Sequence, residues 1–173
     1  MKLTSTTKKF ILHWGEMGTR WGISRSVAQI HALLLISPEP IPADEIATTL
    51  EIARSAVSAG IKELQSWGLI RIVHHMGDRR DHFTTLDDVW ETFLLILRER
   101  RRRELEPTVA VLRECAAEAA STKAIPATTL KRFSDLAELL ELTDRWCDRA
   151  QSLSPAGLKR LANLGDKVFK LLG

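Results

Sequence analysis

A chain of 173 residues with 45% hydrophobic content can hold one compact domain, or a small domain plus an oligomerisation arm. Its 25 basic and 22 acidic residues give only +3, and residues 1–89 hold ten of each, so any affinity for a polyanion must come from where charges sit rather than from their sum. No secretory signal, transit peptide or apolar run of membrane-spanning length is present, so a cytoplasmic protein without a membrane partner is expected; HExxH, metal-spaced Cys/His arrays, phosphate loops and nucleophile elbows are all missing, so neither an enzyme nor a metal or cofactor is expected.

In chain order, residues 4–21 read as an amphipathic helix, with Phe10, Trp14, Met17 and Trp21 spaced at four, three and four. A second helix, about Ser24 to Ile36, carries Val27, Ile30, Leu33, Leu34 and Ile36, and the prolines of SPEPIP end it. The next helix begins near Ala43 and ends near Leu50. It offers Ile46 and Leu50 to a core, and its first-turn acids Asp44 and Glu45 suit the positive end of the helix dipole.

After a tight turn a further helix runs to about Trp67. Val57, Ile61 and Leu64 share one face, while Arg54, Ser55, Ser58, Ala59 and Lys62 fall on the other. Small and cationic residues let such a helix lie deep in a major groove, with Ser and Arg reaching base edges and Lys reaching phosphate. Gly68 can take the left-handed conformation that closes the helix, and Leu69 and Ile70 begin a strand.

Ile70, Ile72 and His74 alternate with Arg71 and Val73, and His82 to Thr85 form a return strand. Between them Met76 to Asp81 puts Arg79 and Arg80 at a hairpin tip flanked by Asp78 and Asp81. Arginine there suits a narrow minor groove, with Asp78 as the group that orients a guanidinium. A solvated polar turn is the bland reading of the turn taken alone. Helix, turn, helix and hairpin together predict a mainly α fold, a winged helix-turn-helix with a β-hairpin wing. Arg54, Lys62, Arg71, Arg79 and Arg80 would face double-stranded DNA, and Glu39, Asp44, Glu45 and Glu51 would be kept away from it. A zinc site from His74, His75 and His82 is not expected, because adjacent strand residues point to opposite faces.

Leu86 to Ala120 reads as one long helix bearing Val89, Trp90, Phe93, Leu94, Ile96 and Leu97, with a kink expected at Pro107. A polar break at Ser121 to Pro126 precedes a helix of about Ala127 to Ser152 with Leu130, Phe133, Leu136, Leu140 and Trp146. A last helix, Pro155 to Leu172, carries Leu158, Leu161, Leu164, Val168 and Leu171. The economical use of these helices, with the first, is to pack against a symmetry mate and so space two reading helices about one DNA turn apart. That divides the chain into an N-terminal helix joining the dimerisation region (1–25), a winged helix-turn-helix (26–88) and a C-terminal helical dimerisation region (89–173). The basic run Arg98 to Arg103 is open to phosphate contact, to a dimer-interface ion network, or to a solvated helix face partly neutralised by Glu99 and Glu104. Cys115 and Cys147 are expected as free packing thiols. A redox switch would have only Arg113 and Arg145 nearby to lower a thiol pKa.

The run LLLISPEPIPADEIATTLEIARSAVSAGIKELQSWGLIRIVHHMGDRRDHF resembles the winged helix of the GbsR/MarR group of bacterial transcriptional regulators. FILHWGEMGTRWGISRSVAQIHALL before it and DDVWETFLLILRERRRRELEPTVAVLREC after it resemble that group's flanking helices, so the likeness covers roughly residues 8 to 118. SPEP, KELQSWGLI, GDRRD and RERRRRELEP are its most specific parts. The resemblance implies a homodimeric regulator, a repressor, on a pseudo-palindromic operator. It assigns DNA contact to Arg54, Ser55, Ser58 and Lys62 in the helix and to Arg79 and Arg80 in the wing. It also implies a small-molecule effector between reading head and dimer helices, where His13, Trp14, Trp21, His31 and Trp90 are candidates. Some members answer to choline-like compounds, which tryptophan faces would attract, although the same aromatics would serve as ordinary core and no Tyr is available. Ala53 and Pro42 stand where capping serines are common in such proteins, which weakens the local helix starts but removes no DNA contact. The competing reading is a winged helix turned protein-interaction module without sequence-specific DNA binding.

Overall fold

The computed structural model describes residues 3–121 and 125–172. Two compact units follow one another along the chain, Met1–Val89 and Trp90–Gly173. Most of the expected polar break after Ser121, and the side chains of Val168 and Leu171, lie outside the described residues.

In the first unit α1 (Ser5–Arg20) starts where the Thr4 hydroxyl accepts the Thr7 N–H at 3.2 Å, a side-chain N-cap. Its buried face is Ile11, Gly15 and Gly18, one residue on from the expected aromatic stripe. Phe10, Trp14 and Met17 lie half-buried on the flank, and Trp21 sits past the helix end, 51% exposed. The cause is close approach to α2 (Arg25–Ile36): a Cβ on Gly18 would lie 2.4 Å from that of Ala28, so only a residue without one fits. α2 is the core element, burying Val27, Ala28, Ile30, His31, Ala32, Leu33 and Leu34 between α1 and the later helix α4 (Arg54–Ser66). Gly60 of α4 makes a second close approach, 2.6 Å from an added Cβ to Ile30 Cδ1.

The prolines after Ser37 end α2 and lead into β1 (Ile41–Pro42), and Pro42 in extended conformation opens α3 (Ala43–Leu50). Glu51, at φ 55°, turns the chain into α4. α4 closes as the sequence predicts, with Gly68 at φ 72° and the Leu69 N–H reaching back to the Leu64 carbonyl at 2.9 Å. β2 (Ile70–Val73) and β3 (His82–Thr85) follow.

The sheet is three-stranded and antiparallel in the order β1-β3-β2, with Phe83 opposite both Ile41 and Ile72. β1 was not expected, since a two-residue strand inside a proline run has no period to read. It makes β3 the central strand, buried at His82, Phe83 and Thr85, and leaves β2 as an edge. The expected inward alternation of Ile70, Ile72 and His74 fails beyond Ile70: Ile72 is 42% exposed and His74 is exposed, because from Arg71 onward the hairpin leaves the cover of the helices.

In the second unit α5 (Val89–Arg100), a π-helical segment (Arg101–Leu105) and α6 (Glu106–Ser121) form one helical run. Pro107 lacks an N–H and its ring crowds the carbonyl four residues back. Just before it the ladder widens, the Glu106 N–H bonding to the Arg101 carbonyl five residues back. α7 (Ala127–Gln151) returns along α6, and α8 (Pro155–Leu172) follows. Four of the five arginines of the basic run pair with carboxylates within this unit. Arg101 bonds Asp144 at 2.6 Å and Asp148 at 3.0 Å, Arg102 and Arg103 pair with the buried Glu99, and Arg100 pairs with Glu104. Cys147 lies among the α7 residues that meet Arg101. Cys115 adjoins Arg113, which meets Glu141, and both thiols are free and half-buried.

The expected α7 stripe divides between two faces. Phe133 and Leu140 are half-buried, whereas Leu136 and Trp146 are exposed together with Leu139 and Leu142. In α8, Leu158 is buried and Leu164 exposed. Among the described residues no helix is long and apolar enough to cross a membrane.

Candidate nucleic-acid interface

α4 has the two faces its periodicity requires. Val57, Gly60, Ile61 and Leu64 are buried, while Arg54, Ser55, Ser58, Ala59 and Lys62 are all exposed. No side-chain bond caps the helix at Ala53. The first-turn N–H groups therefore keep their bonding capacity, and with the helix dipole they favour an anion at this end.

The hairpin tip is built around Asp78. Gly77, at φ 85°, makes the turn, and the Asp78 N–H bonds to the His75 carbonyl at 3.1 Å. The Asp78 carboxylate then accepts the Arg80 backbone N–H at 2.9 Å and the guanidinium through Nε at 3.1 Å and Nη2 at 2.7 Å. These bonds hold the Asp78 carboxyl well below the usual carboxylate range and push the Arg80 guanidinium further up. Arg80 Nη1 donates to Asp44 on α3 at 3.2 Å, so both ends of the guanidinium meet carboxylates. Arg79 is exposed and pairs with no carboxylate among the described residues. Arg71 turns to Asp87 at 3.1 Å.

Three histidines stiffen the base of the hairpin. His82 is buried and donates from Nδ1 to the Arg80 carbonyl at 3.1 Å, with Nε2 3.6 Å from Asp78. His75 packs edge-on against its ring at 4.6 Å, and His74 Nε2 lies 3.2 Å from Asp81. Among the described residues no group of three His, Cys, Asp or Glu side chains could hold a metal ion.

Helix and hairpin meet across a groove of about 420 Å³ lined by Arg54, Ser58, Arg80, Asp81, Asp44 and Phe83, among others. Asp44, expected to lie apart from the cationic residues, lines the same groove as Arg54 and bonds Arg80. Its position in a helix first turn explains why a carboxylate is tolerated there, and nothing in the local pattern signals that the first turn of α3 faces this groove. Its partner is 36 residues away in sequence.

Of the candidate effector residues, Trp14 and His31 meet within the first unit. Trp14 lies tilted against Phe10, ring centroids 5.3 Å apart, and against His31 at 6.4 Å. His31 is buried, its Nε2 has no hydrogen-bond partner, and burial holds its pKa down at about 4. His13 and Trp21 are exposed on α1 and beyond it, and Trp90 belongs to the second unit.

A helix-turn-helix whose second helix turns a Ser/Arg/Lys face outward, closed by a small sheet with an arginine-tipped hairpin, is a winged helix-turn-helix. Residues 21–81 match the MarR family. The HTH-type transcriptional repressor GbsR of Bacillus subtilis (strain 168) is 26% identical over 98 residues, which is 57% of this chain and 54% of that protein; the chain thus spans about half the length of that relative. A solved structure described as a transcriptional regulator superposes with a TM-score of 0.58 at 19% identity, covering 84% of this chain and 95% of the other. A MarR-family transcriptional regulator from Rhodococcus sp. RHA1 aligns at 18% identity over 79% of this chain and 88% of its own, with a TM-score of 0.38. Residues 21–81 therefore carry the likeness to the MarR family, and the chain is similar to GbsR over about half of its length.

Proposed function

We propose that this protein is a sequence-specific DNA-binding transcriptional regulator, a repressor, that acts in the cytoplasm as a homodimer on a pseudo-palindromic operator. The observation that carries the reading is the division of α4: an aliphatic face fixed in the core and Arg54, Ser55, Ser58, Ala59 and Lys62 all open to solvent. Such a helix can enter a major groove without unfolding anything, with Arg54 and the serines at base edges and Lys62 at phosphate. Arg79, exposed at the hairpin tip, is the cation best placed for the neighbouring minor groove, while Asp78 orients Arg80 and Arg71 approaches the backbone. Leu139, Leu142 and Trp146 on the outer face of α7 give a second copy something apolar to cover. An effector would act on the joint between reading head and dimer helices. Trp14 with His31 is the aromatic pair at hand for it in the first unit, and Trp90 the candidate in the second.

The test is equilibrium binding of the full chain to a duplex library, followed by titration of the selected duplex and a random one at several salt concentrations. Arg54→Ala should lower the ratio of specific to random affinity about tenfold or more. Arg79→Ala should weaken both duplexes alike and reduce the slope of log affinity against log salt by about one. Indifference of the wild-type chain to every duplex would end the reading and leave a protein-interaction module in its place.

A further inference from the structure

In the groove between α4 and the hairpin, one guanidinium faces two carboxylates. Arg80 gives Nε and Nη2 to Asp78 and Nη1 to Asp44. The two bonds differ in kind. Asp78 is two residues from Arg80 on the same hairpin, so that pair travels with the wing and presents the guanidinium as a unit. Asp44 sits on α3, and its bond at 3.2 Å ties the wing to the body of the domain. Both partners of the second pair are about half exposed, which makes it weak and readily exchanged with a competing anion. Asp44 also lines the same groove as Arg54 and Ser58, the space that a duplex backbone would approach.

We propose that Asp44 limits the affinity of the protein for DNA by competing with the duplex for Arg80. The inference rests on the DNA-binding reading above. When phosphate or a minor-groove acceptor takes Nη1, Asp44 is left unpaired beside a polyanion, and the first-turn position on α3 is what lets the free carboxylate persist. Binding at this corner therefore exchanges one ion pair for another instead of adding one. The pairing also keeps one wing cation from contributing fully to unspecific attraction, which leaves Arg79 as the hairpin's uncompensated charge.

Duplex affinity of the full chain is measured for wild type, Asp44→Asn, Arg80→Ala and the double variant, each across a salt series, with thermal unfolding of every protein recorded alongside. Asp44→Asn should bind the selected duplex several-fold more tightly at low salt, and the salt dependence should steepen by up to one further counterion. In the Arg80→Ala background the same substitution should yield less than half of that gain. Asp44→Ser, which also removes the charge at this helix start, should behave as Asp44→Asn does. Unchanged or weaker binding by folded Asp44→Asn, or an equal gain with and without Arg80, would overturn the proposal. A wild-type chain that binds no duplex would instead defeat the DNA-binding reading itself, and the role of Asp44 with it.

Discussion

Ile30, Leu33, Leu34, Ile46, Val57, Leu64 and Leu69 are the largest fully buried side chains among the described residues, and all belong to the first unit. In the second unit the buried apolar positions are Leu94, Val109, Ala119, Ala137 and Leu158, and the exposed ones include Phe93, Val111, Leu139, Leu142 and Trp146. The first unit wraps α2 on its own residues. The second holds α7 to the π-helical segment and to α6 with ion pairs, Arg101 to Asp144 and Arg113 to Glu141, and turns large side chains outward. Hydrophobic burial scales with apolar area removed from water, so the first unit has its stabilisation within the chain while the second has apolar area still to be covered.

The largest effect that would sharpen this contrast is a truncation at the centre of the first unit. Leu33 is fully buried on the helix that α1 and α4 approach through glycines, so Leu33→Ala should cost about 3–5 kcal/mol in a urea-unfolding experiment, because close-packed helices cannot collapse onto the cavity. Leu139→Ala, at 57% exposure, should change the unfolding free energy of the monomeric chain by no more than about 0.5 kcal/mol. Similar losses at the two positions would break the comparison.

His31 gives the first unit a pH dependence. Its imidazole is buried beside Trp14 with an unpartnered Nε2, and burial lowers its pKa from 6.5 to about 4. The unfolded chain takes up a proton near pH 6.5 and the folded chain does not until about pH 4. Stability is therefore full above pH 6.5, falls as the pH drops between those values, and loses nothing further from this group below them. The loss amounts to about 3 kcal/mol at most. His31→Leu removes the titration and the orphaned nitrogen together, so it should unfold at pH 7 no more readily than wild type and show a flatter stability profile between pH 7 and 4. A variant with the wild-type slope would place the pH dependence elsewhere.

What the sequence made legible was whatever repeats with a side-chain signal. The two faces of α4, the left-handed turn at Gly68 and the arginine-tipped hairpin follow from spacing and glycine chemistry, and the structure has all three. The buried face of α1 was misread by one residue because Gly15 and Gly18 carry no hydrophobic mark, although they are the residues that permit contact with α2. β1 escaped because two residues have no period. The edge position of β2, which exposes Ile72, depends on strand order, and strand order is a tertiary property. Likewise Pro107 announced a disturbance but not its form, a widened helical turn at Arg101–Leu105 whose first residue binds Asp144. In the reading groove, each arginine was visible, but its pairing was not. Asp44 reaches Arg80 across 36 residues, and no local pattern encodes that.

The smallest effect on the chain's own folding, and the one that tests the second unit most directly, comes from the outer face of α7. Leu139, Leu142 and Trp146 are spaced three and four apart, opposite the face where Ala137 is buried and Asp144 binds Arg101. Charges placed on the outer face leave the α6 contact untouched, so Leu139→Asp combined with Trp146→Asp should preserve helicity by circular dichroism. In a two-fold symmetric dimer each substitution occurs twice across the same patch, which sets like charges in a surface that must dehydrate. The dimer dissociation constant, read by sedimentation across a concentration series, should rise at least tenfold. The selected duplex should be bound correspondingly more weakly, while the random duplex changes little, because avidity is lost and the reading face of α4 is not. An unchanged dissociation constant would mean that association, where it occurs, uses another surface, and that these side chains are exposed for a different reason.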